Sequence, residues 1–138
     1  MHSILYISTA RAPLSEKELA QVLQISRRNN ARCDVTGLLV VGGRRFLQAL
    51  EGPEEAVRAT FERISRDPRH FAVVILADKP IAERNFARWS MGFEKGADAG
   101  SDQSLQEQLA GIIAPIQDRN LQAYFAGFVK SHGSKPAA

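Results

Sequence analysis

The sequence predicts an α+β fold: a ferredoxin-like, five-stranded mixed sheet with two helices on one face and two C-terminal helices on the other. Three observations predict it. Apolar periodicity runs in the order strand, helix, strand, strand, helix, strand, the split β-α-β pattern, with one further strand after it. Right-handed crossovers put both connecting helices on the same sheet face. Two more apolar helical stripes follow a polar stretch, and the opposite sheet face is the nearest apolar surface that could bury them.

Each element has a local cause. Residues 3–8, Ser-Ile-Leu-Tyr-Ile-Ser, are short, β-branched and aromatic, and read as a strand. Pro13 breaks the chain, and Ser15 with Glu18 forms a capping box that opens a helix of about 14 residues. Leu19, Val22, Leu23 and Ser26 line one helical face. The helix is expected to stop near Asn29-Asn30, because asparagine tolerates left-handed backbone angles. Residues 35–41 and 44–50 read as a hairpin turning at Gly42-Gly43. Gly52-Pro53 opens a second helix whose buried stripe is Val57, Phe61 and Ile64, and Asp67-Pro68 stops it. Phe71 to Ala77 is a nearly continuous apolar run, read as a strand covered on both faces. Residues 84–93 read as the fifth strand.

The domain limits follow from composition. Residues 1–95 form the main domain, 96–104 a linker, 105–132 a helical cap, and 133–138 a frayed tail. In the cap, Leu105, Leu109, Ile112 and Ile113 mark one helix. Asp118 caps another with the stripe Leu121, Tyr124, Phe125, Phe128 and Val129.

Composition excludes several classes. With 138 residues, 44% hydrophobic and 24% charged, the chain is long enough for a real core and has no run that would span a bilayer. One cysteine, Cys33, forbids an internal disulfide, and His2, His70 and His132 lie at spacings unrelated to zinc ligation. The net charge of +3 is mild, and no long basic run argues for nucleic acid. Met1-His2-Ser3 leads directly into a six-residue apolar stretch, unlike a signal peptide, so a cytoplasmic location is expected, with no membrane and no nucleic-acid partner.

The candidate site comes from polar residues on the sheet face toward the first two helices. Strand alternation puts Tyr6 and Ser8 there, with Phe46, Gln48 and Leu50 on the third strand and Trp89 and Met91 on the fifth. A mid-strand glutamine in a core costs about 1–3 kcal/mol if unpaired, so Gln48 needs partners, and a tyrosine hydroxyl is one candidate. Taken singly, each residue has a structural reading: Tyr6, Trp89 and Met91 as packing, Asn30 as a helix terminator, Asp67 as a helix stop, Arg69-His70 as a loop end. Together, Tyr6, Ser8, Asn30, Gln48 and His70 offer neutral donors and acceptors plus one imidazole. That set suits a flat heteroaromatic ligand, and it contains no nucleophile paired with a base.

These segments resemble the BLUF domains, sensors of blue light using FAD. The resemblance rests on Tyr6 in SILYIS, SRRNN ending at Asn30, Thr36-Gly37, FLQALEG around Gln48, DPRH ending at His70, and WSMGF around Trp89 and Met91. Tyr6, Asn30, Gln48 and Trp89 are separated by 24, 18 and 41 positions. The resemblance covers about residues 1–95 and implies a non-covalent FAD whose ring lies between the two helices. It implies that Asn30 bonds the ring's polar edge, that Gln48 bridges ring and Tyr6, that Arg69 and His70 flank the other side, and that Asp67 bonds the ribityl chain. Asn29 and Ser8 are further contacts, and Arg27 or Arg28 would serve the phosphate–adenosine part.

The implied photochemistry centres on Tyr6, Gln48, Trp89 and Met91. Light promotes electron and proton transfer from Tyr6, and after recombination Gln48 is left in a different hydrogen-bonding state. The absorption moves slightly to the red and recovers thermally. The change passes through the fifth strand to the C-terminal helices and alters contact with a separate, unidentified partner protein. The chain is thus expected to be a sensor and not an enzyme, and a homodimer through the fifth strand or the C-terminal helices is compatible with the pattern. The competing readings are an acylphosphatase-like hydrolase, which lacks an anion loop here because Thr9-Ala10-Arg11-Ala12-Pro13 follows the first strand, and an RNA-binding module, for which the third strand offers only Phe46.

Overall fold

The computed structural model describes residues 1–12, 15–42, 44–86, 92–95 and 118–128, with backbone alone for 92–95. The elements are β1 (His2–Ala10), α1 (Glu16–Cys33), β2 (Thr36–Gly42), β3 (Arg45–Gly52), α2 (Glu54–Ser65), β4 (His70–Pro80), β5 (Gly92–Lys95) and α3 (Arg119–Phe128). The sheet order is β4-β1-β3-β2-β5. All neighbours are antiparallel except β5, which lies parallel to β2. The predicted helix from Leu105, the linker, Val129 and the tail lie outside the described residues.

Period-two alternation splits the sheet into two apolar faces. Ile4, Tyr6, Leu39, Val41 and Leu50 pack with Leu19 and Leu23 of α1 and Val57 of α2. The alternate positions Leu5, Leu38, Val40, Leu47 and Ala49 pack with Phe86 and with Leu121, Phe125 and Phe128 of α3. Tyr124 of that predicted stripe is exposed, at the edge of the buried face.

Capping chemistry sets the helix limits. In α1 the Ser15 hydroxyl accepts from the Glu18 amide at 3.1 Å, and the Glu18 carboxylate accepts from the Ser15 amide at 3.3 Å. The helix runs past the predicted stop at Asn29-Asn30 and ends at Asp34, which takes the left-handed conformation (φ 60°). The Asn30 carbonyl accepts from the amides of Asp34 and Val35, so Asn30 closes the last turn from within the helix. Asp118 starts α3 by accepting from the amides of Asn120 and Leu121 at 3.0 and 3.1 Å.

Three expectations are corrected. The hairpin pairs Gly42 with Arg45, so Gly42 belongs to β2 and not to the turn. Residues 84–86, expected to open the fifth strand, are not strand, and the amides of Asn85 and Phe86 donate to the Glu51 side chain; the described part of that strand is Gly92–Lys95. β4 is an edge strand, not one covered on both faces. Among the described residues it pairs with β1 alone, and Phe71, Val74 and Ile75 are exposed at 41, 51 and 45%. Its two register shifts against β1, with Ala72 at φ 54°, break the regular ladder and blunt the edge.

Gly52 is needed where β3 ends. Its φ is 157°, and an added Cβ would lie 2.6 Å from the Asp34 carbonyl oxygen.

A candidate ring-binding site between two helices and the sheet

Tyr6 and Gln48 are direct cross-strand partners on β1 and β3. Both side chains point to the α1/α2 face, and the buried Tyr6 hydroxyl donates to the Gln48 side-chain oxygen. Phe61 of α2 packs edge-on against the Tyr6 ring, with centroids 5.2 Å apart and planes at 69°. Burial raises the Tyr6 pKa well above its ordinary value, since a phenolate would be desolvated there. Tyr6 is therefore a neutral donor throughout the physiological range.

A cavity of about 270 Å³ opens beside this pair. β1 and β3 supply Tyr6, Ser8, Phe46 and Gln48 as its floor, and Leu39 of β2 joins them. α1 contributes Val22, Ile25, Ser26 and Asn30, and α2 contributes Thr60, Arg63 and Ile64. Asp67, Arg69 and His70 close the end where α2 passes into β4. Small-molecule sites usually occupy roughly 300–1,000 Å³, so this one suits a ring system and not a whole dinucleotide.

His70 is fixed by two bonds. Its Nε2 donates to the Ile64 carbonyl at 2.5 Å, and its Nδ1 lies 3.0 Å from the Ser8 hydroxyl. With Nε2 carrying the proton of a neutral ring, Nδ1 accepts from Ser8. Asp67 and Arg69 form a fork across Pro68, with Arg69 Nε 3.0 Å from each carboxylate oxygen and the Arg69 amide 2.9 Å from one. The Arg69 guanidinium holds the Asp67 carboxyl below its ordinary range, and Asp67 in turn raises the pKa of Arg69.

The structure thus brings Tyr6, Ser8, Asn30, Gln48, Asp67, Arg69 and His70 to one cavity. Asn29 is half-buried but does not line it, and Arg27 and Arg28 are exposed outside it. Trp89 and Met91 lie outside the described residues. Thr60 and Arg63 were not anticipated. Thr60 lies three positions after Val57 and four before Ile64, the helical signal that could have found it, whereas Arg63 has no such spacing from that stripe.

The lining fits a flavin ring by its chemistry. Amide, hydroxyl and imidazole groups match a planar edge of alternating donors and acceptors, while Val22, Ile25, Leu39, Phe46 and Ile64 offer apolar contact to ring faces. Among the described residues no group of three or more His, Cys, Asp or Glu could hold a metal ion. No described helix is long and apolar enough to cross a membrane.

A ring-sized cavity, largely apolar with a few converging polar groups, against an α+β sheet is the architecture of a ligand-binding domain. Comparison with known proteins makes the class specific. The sequence profile of BLUF, sensors of blue light using FAD, matches residues 1–92. The photoactivated adenylate cyclase subunit beta of Euglena longa is 32% identical over 117 residues, 84% of this chain and 12% of that protein. The blue light- and temperature-regulated antirepressor BluF of Escherichia coli is 36% identical over 89 residues, 64% of this chain and 22% of that one. The dark-state structure of BlrB, a BLUF protein, superposes with a TM-score of 0.70 at 26% identity, covering 94% of this chain and 95% of that one. The chain belongs to the BLUF family, whose members are blue-light sensors. It spans only a small part of the cyclase and antirepressor relatives.

Proposed function

We propose that this chain is a blue-light photoreceptor that holds FAD non-covalently in the cavity, with the ring between α1 and α2. The buried Tyr6–Gln48 hydrogen bond beside that cavity is the observation that carries the reading. When bound, FAD supplies blue absorption and an excited ring able to accept an electron. Asn30 and Gln48 bind the ring's polar edge, Asp67 the ribityl chain, and Arg69 and His70 the opposite side.

Tyr6 is the donor. Its neutral phenol loses an electron together with its proton, because electron loss alone would leave a phenol radical cation, a strong acid whose charge a buried site solvates poorly. The bond to Gln48 gives that proton a path, and electron and proton return to Tyr6 on recombination. Gln48 carries donor and acceptor on one planar amide, so rotating or tautomerising that amide exchanges the two at fixed positions. A donor turned toward the ring gives the small red shift.

The changed amide is felt along the sheet. Leu39 is the register partner of Gln48 on one side and of Phe93 in β5 on the other. Trp89 and Met91 lie just before β5 in sequence and complete the photoactive set. A coupling of about 1–3 kcal/mol is typical of such transmission, enough to change a contact but not to refold a domain. The output is altered binding of a separate protein, a role in keeping with the antirepressor named among the relatives.

The test is direct. The purified chain is expected to carry or take up FAD and to show a reversible red shift of its flavin band under blue light. A protein that refuses flavin, or a band identical before and after illumination, contradicts the reading.

A further inference from the structure

We propose that Arg63 recognises the phosphate ester of the bound flavin nucleotide at the cavity mouth, and so sets a preference for FMN and FAD over riboflavin. The inference rests on the flavin reading of the cavity. Apart from the neutral Tyr6 phenol and the His70 imidazole, the ionisable groups in the lining are Arg63, Asp67 and Arg69. Asp67 and Arg69 neutralise each other through their fork. Arg63 has no carboxylate partner among the described residues, so it is the uncompensated charge of the site.

Position supports the same assignment. Arg63 lies one turn after Thr60, which is buried in the cavity wall, and one residue before Ile64, whose carbonyl anchors His70. Thr60 and Ile64 therefore turn this face of α2 toward the cavity, with the exposed Arg63 at its rim. A cavity of about 270 Å³ holds a ring, so the sugar-phosphate tail must leave through that rim. A guanidinium presents a planar fork of donors that matches phosphate oxygens two at a time. Arg27 and Arg28, the sequence-based candidates for this task, do not line the cavity.

The experiment compares riboflavin, FMN and FAD binding to flavin-depleted full-length protein by quenching of flavin fluorescence. Wild type is expected to bind FMN and FAD about tenfold tighter than riboflavin, a gap that narrows with added salt. Arg63→Gln should reduce FMN and FAD to the riboflavin level while leaving riboflavin unchanged, which also reports an intact fold. Arg63→Lys should restore part of the gap, and Arg28→Gln should change nothing. Equal binding of all three by wild type, a gap that survives Arg63→Gln, or one abolished by Arg28→Gln overturns the assignment of Arg63 alone. Failure of wild type to bind any of the three overturns the flavin reading and this inference with it.

Discussion

Gln48 and Glu51 sit three positions apart on β3 and face opposite ways: Gln48 toward the cavity, Glu51 toward the segment that follows β4. Glu51 is fully buried. Its carboxylate accepts from the Asn85 amide at 2.8 and 3.0 Å, from the Asn85 side chain at 2.7 Å and from the Phe86 amide at 2.8 Å. Phe86 then packs edge-on against Phe125 of α3, with centroids 5.9 Å apart. One strand therefore carries both the candidate switch and the clamp that seats the C-terminal helix.

Removing that clamp should loosen α3. Glu51→Ala leaves buried donors at residues 85–86 without an acceptor and is expected to cost about 3 kcal/mol in urea unfolding, with faster amide exchange in α3. Glu51→Gln keeps one acceptor oxygen and should cost less. Equal stability of Glu51→Ala and wild type would show that the carboxylate holds nothing.

The phenol is expected to be essential and its ring is not. Tyr6→Phe keeps the packing on Phe61 but removes the donor to Gln48. It should retain flavin, lose the reversible red shift and lower stability by about 1–2 kcal/mol. Gln48→Leu should likewise keep flavin and lose the shift. A normal photocycle in either variant contradicts the relay.

Alkaline pH should destabilise the fold through Tyr6. Its folded pKa is raised by burial, so above the free phenol value near 10 the unfolded chain has lost a proton that the folded chain keeps. Stability from this group is complete below pH 10 and falls by up to about 1.4 kcal/mol per pH unit above it, toward the folded value. Tyr6→Phe should show a shallower loss over the same window in unfolding titrations.

Gly52→Ala should be costly. The new methyl would meet the Asp34 backbone carbonyl oxygen at 2.6 Å, at a φ that residues with side chains rarely adopt. A loss of about 1–3 kcal/mol in thermal unfolding is expected, and an unchanged midpoint would contradict the close approach.

Much of the fold and site was legible because alternation and capping are local. Ser15 and Glu18 announce the start of α1, and strand period places Tyr6 and Gln48 on one face before any contact is known. What stayed hidden depends on partners distant in sequence. Phe71 to Ala77 has the same apolar run at a sheet edge as at its centre, so burial could not be read from it. Asn30 and Asp34 both tolerate left-handed angles, but Asn30 is buried within the helix and lines the cavity while Asp34 takes the left-handed cap. The 84–86 segment looks extended in sequence, but the Glu51 carboxylate captures its amides. Arg63 was hidden because an exposed arginine beside a helical stripe looks the same whether it faces open water or a cavity rim.

The central claim is that the Gln48 amide changes its hydrogen bonding when light acts on the Tyr6 pair. The most direct measurement is the side-chain amide resonance of Gln48 in nitrogen-labelled, flavin-loaded protein, assigned by its loss in Gln48→Leu and followed in the dark and under blue light. A shift that appears on illumination, reverses in the dark and is missing in Tyr6→Phe is the predicted result. A Gln48 resonance that stays in place while the flavin band moves contradicts the account.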